Sequence, residues 1–334
     1  MKVMITGANG FLGSRTVAAF RRRGHEVRAL VRPATNVDWL RWSEDNGIEV
    51  VRGDLRNAKN LAELVKGVDA VVHLAAVVTG GDDDMLAGSV VGTERLLSAM
   101  DEAGVKRMVL CSSFSCYNYR KIGVGAPLAE ETPLLEKPDL YKRNGYSVAK
   151  TWQERIVRRW ADKVGGELTV LRPGFIWGPE HEYQPCLGGE LGPLHLIMGP
   201  TRDIALTFVE NTADAFAAAT EDSRAIGETF NVVDAESVKP GSYTRTYLKQ
   251  MGLKGLAVPV PYRLGFATAW LATKVSKTIF RGKGKLPGIF VPHKFEPRFK
   301  PYKVSKDRLS EKLGWQQPVS YEDALKKTYG EATS

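Results

Sequence analysis

Short apolar runs alternate with amphipathic stretches along the first two thirds of the chain. This alternation is typical of a parallel β-sheet covered by helices. The run Ala70–Leu74 is almost continuously apolar, which indicates a strand buried on both faces. The predicted strands are Lys2–Thr6, Glu26–Val31, Ile48–Val51, Ala70–Leu74, Arg107–Cys111 and Glu167–Leu171. The predicted helices are Phe11–Arg23, Leu61–Lys66, Met85–Ala103 and Tyr146–Lys163.

Three glycines follow the first predicted strand and open the first predicted helix. Gly7, Gly10 and Gly13 have the spacing that permits a tight turn, a close approach of the backbone to a pyrophosphate, and packing of helix on strand. The amides of the helix N-terminus then face the anion. The motif therefore predicts an α/β fold of the Rossmann type, a doubly wound parallel sheet that binds a dinucleotide. A plain tight turn is the alternative interpretation.

The pattern loosens from about Arg172, where proline and glycine become frequent. We predict a dinucleotide-binding domain over residues 1–172 and a smaller, mainly substrate-binding portion over residues 173–334. Residues 204–233 are expected to return to the sheet, through late strands near Leu206–Val209 and Thr229–Val232.

Arg32 stands at the end of the second predicted strand, where an acid would bind the ribose 2′-hydroxyl of NAD. An arginine there favours the 2′-phosphate of NADP, so we predict NADP as cofactor, with NAD as the alternative. Arg32 stacked on adenine or facing solvent is the other interpretation. Asp54, after the third strand, is either a hydrogen-bond acceptor for the adenine amino group or a simple turn aspartate.

A tyrosine and a lysine four residues apart lie on one face of a helix, and a nearby ammonium lowers the pKa of a tyrosine from its usual ~10. The chain contains three such pairs, Tyr117/Lys121, Tyr146/Lys150 and Tyr302/Lys306. Tyr117 follows a strand directly, and Tyr302 follows a proline in a basic segment. Only Tyr146 opens a long predicted helix that leads into the sixth strand. The pair Tyr146/Lys150 is therefore predicted to exchange protons with a substrate.

Ser112, Ser113 and Ser115 follow the fifth strand at the same predicted sheet edge. One hydroxyl there can hold a substrate oxygen against the tyrosine, or these serines can simply cap the strand end.

Together these residues resemble the extended short-chain dehydrogenase/reductase superfamily, often labelled the NAD-dependent epimerase/dehydratase family. Further matches are Val72–Ala76, Leu171–Gly174 and Phe208–Asp214. The resemblance implies that Ser113 is the catalytic serine, Tyr146 the acid/base and Lys150 its helper. It implies a cofactor site lined by Gly7, Gly10, Phe11, Leu12, Gly13, Arg32, Asp54, Leu55, Leu74, Ala75, Ala76, Tyr146, Lys150 and Pro173. Ser89 departs from the family, which often has asparagine at this position.

Sugar dehydratases of this superfamily carry an acidic pair after the catalytic hydroxyl residue, where this chain has Phe114 and Ser115. Ile204 occupies a position where nucleotide-sugar epimerases often have arginine, and Arg202 lies two residues away. The layout of the C-terminal part looks like the 3β-hydroxysteroid-dehydrogenase-like and flavonol-reductase-like branches. The leading hypothesis is an oxidoreductase that interconverts a secondary alcohol and a ketone on an apolar or amphipathic small molecule. The alternatives are a nucleotide-sugar epimerase with tightly bound NAD(P) and a non-catalytic NAD(P)-binding sensor.

Positive charge is concentrated in one segment. The chain carries a net charge of +9, and Arg263–Lys306 holds eleven lysines and arginines against one acid, Glu296. Large apolar residues, including Trp270, Phe280 and Phe290, lie among these bases, which argues against a nucleic-acid partner. The segment, including an amphipathic helix over Arg263–Phe280, is expected either to rest on an acidic membrane or to close over an acidic substrate.

Three cysteines, Cys111, Cys116 and Cys186, make neither a disulfide framework nor a zinc motif, so no metal is expected. No signal peptide or membrane-spanning run is recognised, which favours the cytoplasm, with peripheral membrane contact as an option. We also expect a homodimer. His181 and Cys186 are candidates for lining the substrate pocket.

Overall fold

The computed structural model describes residues 1–38, 40, 42, 45–57, 60–137, 139–279 and 286–330. Its strands are β1 (Lys2–Thr6), β2 (Glu26–Val31), β3 (Ile48–Arg52), β4 (Ala70–His73), β5 (Arg107–Cys111), β6 (Pro127–Leu128), β7 (Glu167–Pro173), β8 (Phe175–Trp177), β9 (Gly188–Leu191), β10 (Leu194–Met198), β11 (Leu206–Phe208), β12 (Thr229–Val232), β13 (Leu256–Val260) and β14 (Lys303–Val304). Its α-helices are α1 (Phe11–Arg22), α2 (Leu61–Val65), α3 (Asp82–Leu86), α4 (Gly92–Ala103), α5 (Gly145–Val164), α6 (Val209–Glu221), α7 (Pro240–Gln250), α8 (Tyr262–Ile279), α9 (Pro292–Phe299), α10 (Arg308–Leu313) and α11 (Tyr321–Tyr329).

The central sheet is parallel and has the strand order β12-β7-β5-β4-β1-β2-β3. The chain starts in the middle at β1 and winds outwards in both directions, which is the doubly wound Rossmann topology. One face packs against α1 and α6 through Phe20 and Phe216. The other face packs against α2, α4 and α5 through Leu96 and Val157. The predicted fold class is confirmed.

The helix predicted over Met85–Ala103 is interrupted. A π-helical turn, Ala87–Val91, separates α3 from α4. A Cβ at Gly88 would lie 2.2 Å from the Val77 side chain, so this glycine lets the loop after β4 approach the helix. Ser89 lies in the same turn, and its Oγ accepts a hydrogen bond from the Val77 amide at 3.0 Å.

The late strands only partly follow the expectation. β12 joins the edge of the central sheet beside β7, as predicted for Thr229–Val232. β11 pairs with β8 in a separate two-stranded sheet, so the prediction that Leu206–Val209 returns to the central sheet is wrong. The reason is that β8 follows β7 after Gly174 alone and presents a free edge to β11. β9, β10 and β13 form a third sheet, and β14 pairs with β6.

The division between residues 1–172 and 173–334 stays a prediction. Leu309 of α10 packs into the core beside the central sheet, although it belongs to the C-terminal portion. Within the described part of the chain, no helix is both long and apolar enough to cross a membrane.

Candidate active site

The turn between β1 and α1 depends on glycine. Gly7 has a φ of +71°, a conformation that costs glycine little. A Cβ at Gly13 would lie 2.0 Å from the Gly7 carbonyl oxygen, so α1 can approach the turn only without a side chain there. Gly10 caps α1 without a side-chain hydrogen bond, which leaves the amides of the first turn available to an anion. This geometry fits the pyrophosphate of a dinucleotide.

The end of β4 lies beside this turn because β1 and β4 are neighbours. A Cβ on Gly7 would be 3.1 Å from the backbone nitrogen and Cα of Ala75. The Ala75 amide donates a hydrogen bond to Thr6 Oγ1 at 3.2 Å. Leu74, Ala75 and Ala76 are half-buried, so the structure brings these three predicted cofactor residues to the edge of the glycine turn.

Three other apolar residues predicted to line the cofactor are half-buried or buried. Pro173 ends β7 and is buried, in register with Val232. Leu12 is half-buried against the core of the central sheet. Leu55 is half-buried against α4. A Cβ added at Gly92 of that helix would lie 3.2 Å from the Cβ of Leu55.

The loop after β8 covers the first turn of α1. The rings of Phe11 and His181 stack with their centroids 3.9 Å apart and an interplanar angle of 6°. The Arg15 guanidinium lies 5.1 Å from the Phe11 ring centroid. His181 therefore lies on the glycine turn. Cys186 does not line an open pocket, because it is wholly buried in the core around Trp177, and burial raises the pKa of its thiol to about 11.

Arginines surround the end of β2. Arg32 is exposed there. The Asp54 carboxylate receives Arg56 Nε at 3.1 Å and Nη2 at 2.8 Å, and the hydrogen bond from Arg56 lowers the pKa of that carboxyl. Arg52 donates to the carbonyl oxygens of Pro33 and Thr35 and so braces the loop after β2. The sequence reasoning missed Arg56, which adds a second guanidinium beside the position of Arg32.

Tyr146 and Lys150 both lie on α5. The N-terminus of this helix is fixed by Asn144, whose Oδ1 accepts the Ser147 amide at 3.0 Å. Tyr146 is half-buried and Lys150 is buried. The Lys150 ammonium donates to the Cys111 carbonyl oxygen at 2.6 Å, which ties α5 to the end of β5.

The other two tyrosine–lysine pairs are not helical pairs. Tyr117 is fully buried and forms an isolated bridge with Leu134. Tyr302 precedes β14, and Lys306 donates to the carbonyl oxygens of residues 234 and 235. Among the three pairs, only Tyr146 and Lys150 share one α-helix.

The electrostatics around Tyr146 differ from the expectation. Burial raises the pKa of the Tyr146 phenol, and a hydrogen bond with Ser113 opposes this rise. Burial also lowers the pKa of Lys150. The net direction is therefore opposite to the expected lowering of the tyrosine pKa, and burial is its main cause. The Lys150 ammonium itself donates to the Cys111 carbonyl oxygen and to Gln153 Oε1, which lies 2.9 Å away.

The three serines after β5 have different surroundings. Ser112 donates to Glu154 Oε2, so its hydroxyl is part of the buried polar network of the core. Ser113 Oγ accepts the Ser115 amide at 3.1 Å and faces Tyr146. Ser115 Oγ is buried and has no hydrogen-bond partner within the described ranges. The structure thus brings Ser113, but not Ser112, to the predicted acid/base.

A buried polar network that the sequence reasoning missed continues from Lys150. Gln153 accepts from Lys150, so its amide nitrogen points the other way, 2.9 Å from Thr93 Oγ1 and 3.0 Å from His73 Nε2. His73 Nδ1 lies 2.7 Å from Thr6 Oγ1. Burial lowers the pKa of His73 to about 3, so the imidazole is neutral. The three-residue spacing of Lys150 and Gln153 on a helix was the available signal.

A buried ion pair lies next to this network. Glu154 accepts from Arg172 Nε at 3.1 Å, and both side chains are almost inaccessible. Arg172 Nη1 also donates to Tyr117 Oη at 3.0 Å, and Tyr117 donates to Asn231 Oδ1 at 2.6 Å. These hydrogen bonds therefore join the ends of β5, β7 and β12 to α5, two turns along the helix from Tyr146.

The glycine turn, the strand-end positions and the helical tyrosine–lysine pair now stand together at one edge of the sheet. The sequence profile of the NAD dependent epimerase/dehydratase family matches residues 3–232. The chain belongs to this family. The suspected membership of the extended short-chain dehydrogenase/reductase superfamily is confirmed, and the protein is an NAD(P)-dependent enzyme.

Similar proteins include reductases and dehydrogenases. The chain is 28% identical over 292 residues to a 4-hydroxy-2-methyl-3-oxo-4-farnesyl-3,4-dihydroquinoline-1-oxide ketoreductase of Stigmatella aurantiaca, covering 84% of this chain and 82% of the relative. It is 28% identical over 300 residues to a 3 beta-hydroxysteroid dehydrogenase/Delta 5-->4-isomerase of Mycobacterium tuberculosis, covering 84% of this chain and 76% of the relative. The crystal structure of gox2253 superposes with a TM-score of 0.76 at 26% identity, covering 98% of this chain and 96% of that one.

Proposed function

We propose that the protein interconverts a secondary alcohol and a ketone by hydride transfer with a nicotinamide cofactor. The observation that carries this proposal is the placement of Ser113, Tyr146 and Lys150 at the strand edge beside the glycine turn. Ligands of open α/β sheets bind at this edge. The two similar enzymes described above act on a ring ketone and on a hydroxysteroid according to their names, which supports an apolar or amphipathic substrate.

In the reductive direction, Ser113 binds the carbonyl oxygen and Tyr146 donates its phenolic proton to that oxygen. A nicotinamide cofactor held at the glycine turn would supply the hydride. Burial raises the pKa of the Tyr146 phenol, so we assign to the Lys150 ammonium, one turn along α5, the positive charge that would favour loss of the phenolic proton. Gly7, Gly10 and the first turn of α1 would hold the pyrophosphate.

We propose NADP(H) as the preferred cofactor. Arg32 is exposed at the end of β2, and Arg32 and Arg56 both act on the Asp54 carboxylate, so two guanidinium groups lie near that carboxylate. An acid at that position would repel a 2′-phosphate, whereas an arginine can pair with it. NAD(H) is the alternative.

The geometry disfavours a nucleotide-sugar epimerase. Arg202, which would have to hold a diphosphate in place of Ile204, is buried and donates to the carbonyl oxygens of Met198 and Cys186. A cytoplasmic location and a homodimer remain proposals that rest on the sequence.

The test is a panel of apolar ketones of graded size, including a 3-ketosteroid, offered with NADPH or NADH while nicotinamide absorbance is followed. We expect turnover of at least one ketone, and none with Tyr146→Phe. Exchange of sugar stereochemistry without net cofactor turnover would establish the epimerase instead. Tight cofactor binding without turnover of any alcohol, ketone or sugar would favour the sensor.

A further inference from the structure

Helix α8 exposes a row of aliphatic side chains. Leu264, Leu271, Val275 and Ile279 are spaced by seven, four and four residues, which places them along one side of the helix. Their exposed fractions are 57%, 56%, 38% and 69%. A helix at the surface of a globular protein normally turns such a row towards the core.

The fold does not need this row, because α8 packs through its opposite side. Gly265, Ala269 and Ser276 are buried. A Cβ at Gly265 would lie 2.8 Å from the Phe295 ring, so the contact with α9 is already tight. The exposed row is therefore available to a partner outside the described chain.

A basic row runs beside the aliphatic row. Arg263, Trp270, Lys274 and Lys277 are all exposed and are spaced by seven, four and three residues. The Lys274 ammonium lies 5.1 Å from the Trp270 ring centroid. Helix α8 contains no aspartate or glutamate, so nothing on the helix itself neutralises these charges.

The surroundings of α8 have the same character. Phe290, whose carbonyl oxygen accepts a hydrogen bond from Thr273 of α8, is also exposed, at 41%. The one acid of Arg263–Lys306, Glu296, is buried and bonded to Lys300 at 2.9 Å. Phe280, which the sequence prediction named, lies outside the described residues, as do the neighbouring bases Arg281, Lys283 and Lys285 of the same segment.

We propose that the exposed side of α8 docks onto the surface of an anionic lipid bilayer. Lipid headgroups attract the basic row, and the aliphatic row gains from burial at the boundary with the acyl chains. A second copy of the chain fits this surface less well. A symmetric contact would bring the basic rows of the two copies together, and α8 has no acidic side chains to offset their repulsion. The docking does not depend on the reaction proposed above.

The test is co-sedimentation of the full chain with vesicles of phosphatidylcholine alone or mixed with phosphatidylglycerol. We expect binding to the mixed vesicles that weakens as salt rises. The double variant Lys274→Gln with Lys277→Gln should bind roughly 25-fold more weakly, since each basic side chain contributes about fivefold near an anionic surface. The matched control is Lys66→Gln with Lys163→Gln, which removes two exposed lysines elsewhere and should bind normally.

Leu271→Ser should also weaken vesicle binding, whereas Val124→Ser, at another exposed aliphatic position, should not. Failure to sediment with any vesicle would overturn the proposal. Equal binding to neutral vesicles would overturn it as well. A change of oligomeric state in Leu271→Ser, measured by analytical ultracentrifugation without lipid, would assign the surface to a second copy instead.

Discussion

Changing each tyrosine of the three tyrosine–lysine pairs to phenylalanine should have different effects on protein stability and on turnover. Tyr117 donates to Asn231 Oδ1 at 2.6 Å and accepts from the Arg172 guanidinium at 3.0 Å, in a fully buried position. A neutral hydrogen bond contributes about 0.5–1.5 kcal/mol and one to a charged group about 1.5–3 kcal/mol. Tyr117→Phe should therefore lower the free energy of unfolding by about 2–4 kcal/mol.

Tyr146→Phe should behave in the opposite way. The phenol is half-buried and its ring can keep the same packing, so we expect a stability loss below about 1 kcal/mol. Without the hydroxyl no proton can be exchanged with the substrate oxygen, and general acid–base catalysis contributes roughly 10²- to 10⁴-fold. Cofactor binding should stay within a few-fold.

The assay combines urea unfolding with kcat at saturating cofactor for each variant. Tyr302→Phe should keep most of its turnover, since Tyr302 lies beside Tyr119 in a separate core cluster. The reasoning is refuted if Tyr117→Phe loses turnover while it remains as stable as the unaltered chain, or if Tyr146→Phe retains more than a tenth of kcat.

Three further predictions concern single side chains. Gln153→Leu removes one of the two acceptors of Lys150. We therefore expect a roughly tenfold lower kcat, and the alkaline limb of the pH–kcat profile should move to lower pH. An unchanged profile would mean that Gln153 has only a structural role. Arg32→Asp should shift the ratio of NADPH to NADH affinity by about ten- to hundredfold towards NADH, and equal affinities in the unaltered protein would contradict the cofactor proposal. Burial raises the pKa of Glu154, but its arginine partner outweighs this and holds the pKa at about 2. The ion pair thus contributes stability above the unfolded pKa of about 4.3, and this is lost as pH falls towards 2. Glu154→Gln should flatten that pH dependence of the urea midpoint and cost about 3–5 kcal/mol at neutral pH.

The central sheet was predictable from sequence because its inner strands, such as β1, β4 and β5, are buried and read as apolar runs. The glycine turn was predictable for a related reason, since only glycine tolerates the 2.0 Å approach at Gly13. Tyr146 was identified as the acid/base from the position of its helix in the chain, because the four-residue spacing of tyrosine and lysine occurs in all three pairs.

The features that sequence reasoning missed depend on contacts between distant segments. The pairing of β11 with β8 is set by a free edge that exists only after the chain has turned at Gly174. The π turn depends on Gly88 meeting Val77. The direction of the Lys150 ammonium depends on the Cys111 carbonyl oxygen and on a glutamine that carries no motif of its own.

One face of α5 combines chemistry and folding, and this decides which variants are informative. Tyr146, Lys150 and Gln153 are spaced by four and three residues, and Glu154 follows directly, so all four reach the sheet edge from the same helix. A substitution that shifts this helix would therefore disturb the predicted proton donor, the ammonium and the buried ion pair together. Only replacements that keep the volume of a side chain and remove its polar atoms, such as phenylalanine for tyrosine or leucine for glutamine, can assign a loss of turnover to one of these side chains. The ion pair of Glu154 and Arg172 is buried and lies two turns along α5 from Tyr146. Its loss should therefore lower the free energy of unfolding more than it lowers kcat.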